Sequence, residues 1–241
     1  MIQNLLFSPF AYETCEMEKP DFKRFKSGVV LGLRYCSKAR LSGKYGVPMI
    51  KAYRGAVPDK FITYSDSTRV TDYSCGVVSF DSDNVLERVW NNPEKYIPIL
   101  SRFSCVGEPD FSLKLEYPLS IQIANTFRNH ALAYHMQESG INVIPSMSWS
   151  STVSYEFCFD GHEKGGAVVV STIGTLGDER SNMFFRLGFE EMLKRIAPDV
   201  VVLYGDVNES LRMWLPQQLH VCVVDHNRFK RARKHGSKGS F

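Results

Sequence analysis

The stretch AVVVSTIG at residues 167–174 decides the fold expected of this sequence, because an apolar run of β-type residues ends abruptly in Ser, Thr and Gly. Four other runs end in the same way: CVGEPDFS (105–112), INVIPSMSW (141–149), DVVVLYG (199–205) and HVCVVDH (220–226). Helical patterns separate several of them. This alternation predicts a parallel α/β fold, in which functional residues collect at the carboxyl ends of the strands.

Two earlier stretches extend the pattern toward the N-terminus. VPMIKAY (47–53) and CGVVSF (75–80) are predicted strands, and the polar residues 54–74 between them are predicted to form a long loop or a hairpin insertion. About seven strands result from this count. Because 241 residues is close to the about 250 of a (β/α) barrel, we expect a barrel-like sheet, incomplete or complete, rather than an open doubly wound sheet.

Four helices are expected between the later strands. The first begins near Asp83, and the second has Pro93 at its first position, where the missing N–H costs nothing. The third runs from Pro118 to Gly140, and the fourth covers roughly residues 182–196.

The third helix has two contrasting faces. Its predicted core face carries Leu119, Ile123, Phe127 and Tyr134, with His130 as a packed histidine on the same side. The opposite face carries Gln122, Asn125, Arg128 and Asn129. That face is too polar for a deep core, so it lines a pocket or meets solvent, and solvent is preferred.

Composition places the chain among ordinary globular proteins. Hydrophobic residues make up 44% and charged residues 23%, and no stretch approaches the roughly 18 apolar residues of a membrane helix, so no membrane contact is expected. The N-terminus lacks the basic region of a secretory signal. The six cysteines are scattered without a C-x-x-C pair, which predicts reduced, structural thiols in a cytoplasmic protein.

Three parts are expected along the chain: an irregular N-terminal extension (1–46) with one strand near Val29–Tyr35, an α/β domain (47–225) and a basic tail (226–241). The net charge is +3, and subtracting the six positive charges of the tail leaves −3 for residues 1–225. Such a tail can neutralise phosphates and bind DNA or RNA, or it is simply a solvated end. Its basic residues are Arg228, Lys230, Arg231, Arg233, Lys234 and Lys238.

Polar residues follow the strands at the edge where a site is expected. Asp110 and Asp206 are candidate general bases or ligands for a hard cation such as magnesium, and Ser171 is the third catalytic candidate. Helix capping and turn formation are the alternative roles of such residues. The substrate-binding candidates at these strand ends are Ser112, Trp149, Thr172 and Tyr204.

The segment STIGTLGDERSN (171–182) leads from a strand through two glycines into a helix. Gly174 lets the backbone approach a ligand closely, and a helix N-terminus favours an anion, so a phosphate is one candidate ligand. Asp178 and Glu179 oppose an anion there, and neither G-x-G-x-x-G nor the P-loop pattern is present. The sequence also lacks G-x-S-x-G and H-E-x-x-H, the motifs of the common serine hydrolases and zinc proteases.

Several ordered motifs resemble one family. LERVWNNPEKYIPIL, PDFSL, QIANTFRNHALA, GINVIP, YEFCFDG, VVVSTIG and VVLYG, over roughly residues 76–206, are similar to the family catalogued as domain of unknown function 4417. The resemblance implies a setting in phages and other mobile elements, and it brings no activity, cofactor or catalytic residue. It adds Asn125, Arg128, Asn129, Asp160, Gly161 and Gly205 to the positions of interest.

Two functions of different classes follow from these features. The first is an enzyme that acts on nucleic acid or a phosphorylated, nucleotide-like substrate at the strand ends. The second is a non-catalytic accessory protein that binds nucleic acid or a host protein through its basic tail.

Overall fold

The computed structural model describes residues 31–175 and 177–224. The predicted basic tail, Asp225, Cys15 and residues 1–30 of the predicted N-terminal extension lie outside the described residues. The domain boundaries therefore stay a prediction.

The described residues form ten strands and five α-helices. The strands are β1 (Leu41–Ser42), β2 (Val47–Pro48), β3 (Phe61–Thr63), β4 (Gly76–Val78), β5 (Cys105–Gly107), β6 (Val143–Ile144), β7 (Ser146–Met147), β8 (Ala167–Ser171), β9 (Val200–Tyr204) and β10 (His220–Val224). The α-helices are α1 (Asp83–Asn91), α2 (Pro93–Leu100), α3 (Leu119–Glu138), α4 (Glu179–Ile196) and α5 (Glu209–Trp214). Short 3-10 helices cover Leu33–Tyr35, Tyr64–Asp66 and Thr152–Glu156.

Two four-stranded parallel sheets, β3-β4-β5-β6 and β7-β8-β9-β10, meet at Pro145. Proline has no N–H, so the ladder is interrupted there, and β6 pairs with β5 while β7 pairs with β8. The Pro145 carbonyl still accepts a hydrogen bond from Val169 N at 2.8 Å. The strands from β3 to β10 therefore follow one another in the order of the sequence, with every neighbour parallel.

Sequential parallel strands place their helices on one side of the sheet, because βαβ crossovers are right-handed. The two faces of β9 show this arrangement. Val201 and Leu203 pack in a cluster with α4 and α5, whereas Val202 and Tyr204 point to the other face. In the part of the chain that the structure describes, that other face packs against strand side chains and the segment before β3, without a helix.

The predicted α/β fold with a mostly parallel sheet is confirmed, and its barrel-like form follows from the strand order and the helix-free interior. A doubly wound sheet would reverse its strand order and carry helices on both faces. Within residues 31–175 and 177–224, no backbone ladder joins β10 to β3, so closure of the barrel is not seen there.

Two strand assignments from the sequence are wrong. The stretch 47–53 contributes β2, which pairs antiparallel with β1, and two isolated bridges, Ile50 to His162 and Tyr53 to Ala167, but no strand of the parallel sheet. The first strand of that sheet is β3, inside the stretch expected to be a loop; Phe61 and Ile62 are both buried, but three residues are too short to show a pattern. The described end of the predicted strand Val29–Tyr35 is a 3-10 helix.

The polar face of α3 was expected to meet solvent, and this is wrong. Gln122, Asn125 and Asn129 are buried, because they bind main-chain groups of neighbouring loops. Asn129 Oδ1 accepts from Phe111 N at 2.7 Å, and its Nδ2 donates to Phe111 O at 3.4 Å. The loop after β5 thus obtains from α3 the hydrogen bonds that a buried backbone requires.

The predicted core face of α3 is also displaced. Leu119 is 42% exposed, and Ile123, Phe127 and Tyr134 are only partly buried. The fully buried apolar residues of this helix are Ala131, Leu132, Ala133 and Met136.

The remaining helix predictions agree with the structure. Pro93 occupies the first turn of α2, and Gly140 follows α3 with a φ of 83°. Asp178 caps α4 by accepting a hydrogen bond from Ser181 N at 2.9 Å. The buried residues of α4 include Phe185, Phe189, Met192 and Ile196.

The described cysteines are free thiols, as predicted. Burial raises the pKa of Cys36 and of Cys105 to about 12, so both thiols stay protonated near neutral pH. They act as small apolar groups in the core.

The described helices include none long and apolar enough to cross a membrane.

We expect Asn129→Ala to destabilise the protein by about 1–3 kcal/mol, because the N–H and C=O of Phe111 lose their buried partner. The matched control is Asn142→Ala, which removes an exposed asparagine and should change the free energy of unfolding by less than about 0.5 kcal/mol. Urea denaturation measures both, and equal effects would contradict this role of Asn129.

Gly188→Ala should also destabilise the protein, by about 1–3 kcal/mol. In most helices this change stabilises by about 1 kcal/mol, but here the new Cβ would lie 2.1 Å from Trp149 Nε1. Gly177→Ala is the control, since its Cβ would meet open space. Thermal unfolding and tryptophan fluorescence test the pair, and a stabilised Gly188→Ala variant would refute the close packing.

Candidate functional site

A cleft of about 620 Å³, the rim cleft, opens at the edge of the sheet where the parallel strands have their carboxyl ends. Its walls come from the segments that follow β4, β5, β7 and β8, together with the first turns of α4. The lining residues include Phe80, Asp81, Asp110, Ser112, Lys114, Glu116, Ser148, Trp149, Ser171, Gly174, Ser181 and Phe184. The cleft therefore lies where a parallel sheet brings its functional residues together.

Asp110 is the unusual group of this cleft. Its Oδ1 is buried without a hydrogen-bond partner among the described residues. Burial raises the pKa of Asp110 to about 7; the Ser148 hydroxyl opposes this shift, and the negative charges of Glu108 and Asp83 add to it. A carboxyl group in this state is suited to proton transfer near neutral pH.

Two neighbouring acids, Asp81 and Asp83, differ from Asp110 because their carboxylate oxygens accept hydrogen bonds from other residues of the protein. Asp83 Oδ1 accepts from Ser112 N at 3.2 Å and from Ser112 Oγ at 2.9 Å. Asp81 accepts from the main-chain N and the hydroxyl of Ser65, both at 2.8 Å. These two carboxylates hold the loops of the cleft, whereas Asp110 Oδ1 has no hydrogen-bond partner among the described residues.

Aromatic rings form one wall of the cleft and are held in place. Trp149 Nε1 donates to the carbonyl of Phe184 at 3.0 Å, and its ring lies 5.8 Å from that of Phe185. Phe80 stacks on Tyr204 at 5.6 Å between ring centroids. Rings fixed in this way offer a flat apolar surface to a ligand without further ordering.

Ser171, Ile173, Gly174 and Thr175 form the edge of the cleft near α4. Ser171 Oγ accepts from Ile173 N at 3.2 Å, and Gly174 has a φ of 77°. The N-terminus of α4 already receives the carboxylate of Asp178, which takes the position that an anion would use. Phosphate binding at this helix end is therefore disfavoured.

The structure brings together five of the residues selected from the sequence and leaves the others outside. Those that line the cleft are Asp110, Ser112, Trp149, Ser171 and Gly174. Those not among its lining residues are Asp206, Thr172, Tyr204, Asn125, Arg128, Asn129 and Asp160.

The residues outside the cleft have contacts elsewhere. Thr172 Oγ1 donates to the main-chain carbonyl of Asp206 at 2.7 Å and so ties the end of β8 to that of β9. Arg128 lies over the ring of Phe111 at 3.7 Å and pairs with Glu87. Burial raises the pKa of Asp160, and the charges of Arg195, His162 and Lys44 partly offset this rise.

Sequence reasoning missed Phe80, Asp81 and Ser148 in the cleft. These three residues could have been found by the pattern that identified Asp110 and Trp149, because each lies within three residues of the carboxyl end of β4 or β7.

A second polar cluster, which sequence reasoning also missed, is made of the side chains of Glu108, His130 and His162, each only 1–2% exposed. His130 was expected to be a packed histidine, and it is 1% exposed. Burial lowers its pKa to about 4, against the attraction of Glu108. Burial also opposes ionisation of Glu108, but the two histidines outweigh it and lower the Glu108 pKa.

The comparisons with known proteins agree with the resemblance noted in the sequence. Residues 39–222 match the family described as Domain of unknown function (DUF4417). The chain is 31% identical over 138 residues to the "Gene 1 protein" of Mycobacterium phage D29, covering 57% of this chain and 51% of that protein. It is 29% identical over 192 residues to the "Gene 1 protein" of Mycobacterium phage L5, covering 78% of this chain and 82% of that protein.

The chain thus spans about half the length of the D29 protein. No solved structure matches the chain significantly. The match over residues 39–222 includes the whole parallel sheet except the last two residues of β10, and by this match the chain belongs to the family Domain of unknown function (DUF4417).

Proposed function

We propose that this chain is a phage-associated enzyme that acts on a nucleotide-like substrate in the rim cleft, with Asp110 as the group that exchanges a proton with the base. The observation that supports this most is the Oδ1 of Asp110, a residue that lines the cleft, since this oxygen is buried without a hydrogen-bond partner. A buried polar atom without a partner is costly, and a ligand that donates to it removes that cost.

The chemistry of the walls supports a flat, polar ring as the part of the substrate that enters. Trp149 and Phe184 supply surfaces for stacking, and such stacking contributes about 1–3 kcal/mol per base in proteins that bind nucleic acids. Asp110 at one side of such a ring can accept from a ring N–H or donate to a ring nitrogen. Ser171 offers a hydroxyl hydrogen at the end of β8, next to the strand that precedes Trp149.

The charges of the cleft determine how a phosphate would lie. The lining includes three acids, Asp81, Asp110 and Glu116, and one base, Lys114. A phosphate is therefore disfavoured next to Asp110, because like charges repel. We therefore assign the phosphate to the Lys114 side, and the base to the side of Trp149. A magnesium ion bridging phosphate and carboxylate would be compatible with these acids. Asp206 is not included in this site.

The non-catalytic alternative is favoured by one observation, the six basic residues and no acid in residues 226–241 against a body with a formal charge of −3. Here the tail would bind DNA or RNA in the host cytoplasm, and the cleft would be unused. Six phosphate contacts would give a salt dependence of log K against log salt of about −5 for duplex DNA.

For the enzyme, Asp110→Asn should lower turnover of nucleotides or oligonucleotides by about 100-fold or more, since an amide cannot transfer the proton. The melting temperature near neutral pH should stay the same or rise, because Oδ1 has no protein partner to lose and the neutral amide removes the cost of burying a charge. Asp206→Asn is the matched control, a second acid at the same rim that does not line the cleft. Equal effects of the two variants, or no change in any nucleotide, DNA or RNA with and without magnesium, would refute the proposal.

For the tail, a variant that ends at residue 225 should lose most of its affinity for DNA and RNA and most of its salt dependence. Asp110→Asn should leave that affinity intact. Fluorescence anisotropy over a range of salt concentrations measures both, and undiminished binding by the shortened chain would rule out the tail as the binding element.

A further inference from the structure

The cluster of Glu108, His130 and His162 does not line the rim cleft, and Glu108 acts on the proposed reaction only through its charge, which adds to the raised pKa of Asp110. Glu108 follows β5, His130 lies on α3, and His162 precedes β8. The side chains are 1–2% exposed. Their ligand atoms all lie within 4.8 Å of one another.

The hydrogen bonds on the outer side of the two rings constrain their protonation. His130 Nδ1 lies 2.9 Å from the carbonyl oxygen of Pro48, and His162 Nδ1 lies 3.4 Å from that of Phe159. A carbonyl oxygen only accepts, so His130 is assigned its proton on Nδ1, whereas His162 has an acceptor oxygen at each ring nitrogen and can carry its proton on either one. In a neutral ring protonated on Nδ1, Nε2 carries a lone pair.

When both rings are protonated on Nδ1, both lone pairs face the same carboxylate. His162 Nε2 is 2.9 Å from Glu108 Oε2, and His130 Nε2 is 3.5 Å from Glu108 Oε1. Three electron-pair donors that converge in a buried space repel one another unless a cation lies between them. The cluster therefore calls for either a shared proton or a metal ion.

A shared proton satisfies only part of the cluster. A proton on His162 Nε2 makes an ion pair with Glu108, but His130 Nε2 then still faces Oε1 without a donor. A metal ion accepts electron pairs from all three groups at once. It also leaves each Nδ1–H on its main-chain carbonyl, which is the usual outer-shell arrangement of metal-bound histidine.

We propose that Glu108, His130 and His162 form a binding site for one divalent transition-metal ion, with zinc as the first candidate. Two histidines and one carboxylate are a known ligand set for zinc and for ferrous iron. Tetrahedral zinc with bonds of about 2.0–2.1 Å separates its ligand atoms by about 3.3 Å, which small side-chain rotations would reach from the present distances.

The surroundings of the cluster are built closely around it. Ser146 N donates to Glu108 Oε2 at 3.2 Å and orients the carboxylate. Gly161 has a φ of 80°, and a Cβ there would lie 2.7 Å from the carbonyl oxygen of Pro48 and 2.9 Å from His130 Nδ1. Only glycine fits this approach without strain, so the backbone holds the His130 ring in place.

The ion would have a structural role, because the cluster is closed to solvent and joins distant parts of the chain. It would connect the end of β5, the middle of α3 and the segment before β8, with β2 held through Pro48. Binding of a metal to such a site contributes directly to folding stability. This inference does not depend on the proposed enzyme, and it is tested by metal content and stability rather than by activity.

The test uses the full chain, purified and dialysed without chelator, and measures its metal by plasma mass spectrometry. We expect about one zinc or iron per chain. Protein stripped with a chelator should gain about 5 °C or more in melting temperature when zinc chloride is added in excess. Cobalt(II) should give the visible absorption of a site with nitrogen and oxygen ligands.

Two variants locate the site. His162→Gln should lose the metal and the melting-temperature gain, whereas His220→Gln, which removes an exposed histidine 3.9 Å from Cys222 Sγ, should keep both. If His162→Gln does not fold, the cobalt spectrum of the wild type decides, because a site at Cys222 would show thiolate charge transfer and the proposed site would not. Stripped protein that does not respond to zinc, cobalt(II) or iron(II), a thiolate band, or loss of metal in His220→Gln would each overturn the proposal.

Discussion

The parallel pairing of strands in the order of the sequence is the constraint on which the rest of the structure depends. With right-handed crossovers, this order sends the helices between β4 and β10 to the outer side and the carboxyl ends of β3 to β10 to the same rim. The interior is then filled from the strands themselves, as Val202 and Tyr204 of β9 show. The cleft with Asp110 lies at that rim because four neighbouring strands end there.

Buried polar residues are the means by which the rim is held in shape. Asn129 and Asn125 of α3 bind the main chain of Phe111 and Ser112, and Asp83 at the start of α1 binds Ser112 from the other side. The loop that carries Asp110 is thus fixed by two helices. Among these hydrogen-bonded polar groups of the loop, Asp110 Oδ1 is exceptional because it is buried without a partner.

Much of the fold could be predicted because strand and helix signals are local. The apolar runs from Cys105, Ala167 and Val200 became β5, β8 and β9, and Pro93 and Gly140 marked helix ends as expected. Strand β3 was missed because three residues give no period to detect. The buried polar face of α3 was misjudged because its partners are main-chain groups of loops, and a helix pattern carries no information about those.

The candidate site was predictable in part for a related reason. Asp110, Trp149 and Ser171 end adjacent strands, so parallel pairing alone brings them to one cleft. Tyr204 also ends a strand, but its side chain is 5% exposed and packs on Phe80. Which strand-end residues reach the cleft depends on the face each side chain takes and on what packs over it.

The sequence by itself determined the α/β class, the order of most elements and the rim at which polar residues collect, because these follow from local periodicity and from the chirality of the chain. Only the tertiary structure decided that Asp110 keeps a buried oxygen without a partner, and that Glu108, His130 and His162 meet. Both depend on contacts between residues far apart in the chain. Burial then changes the energy of those charges, and burial is a property of the packed molecule rather than of any segment of its sequence.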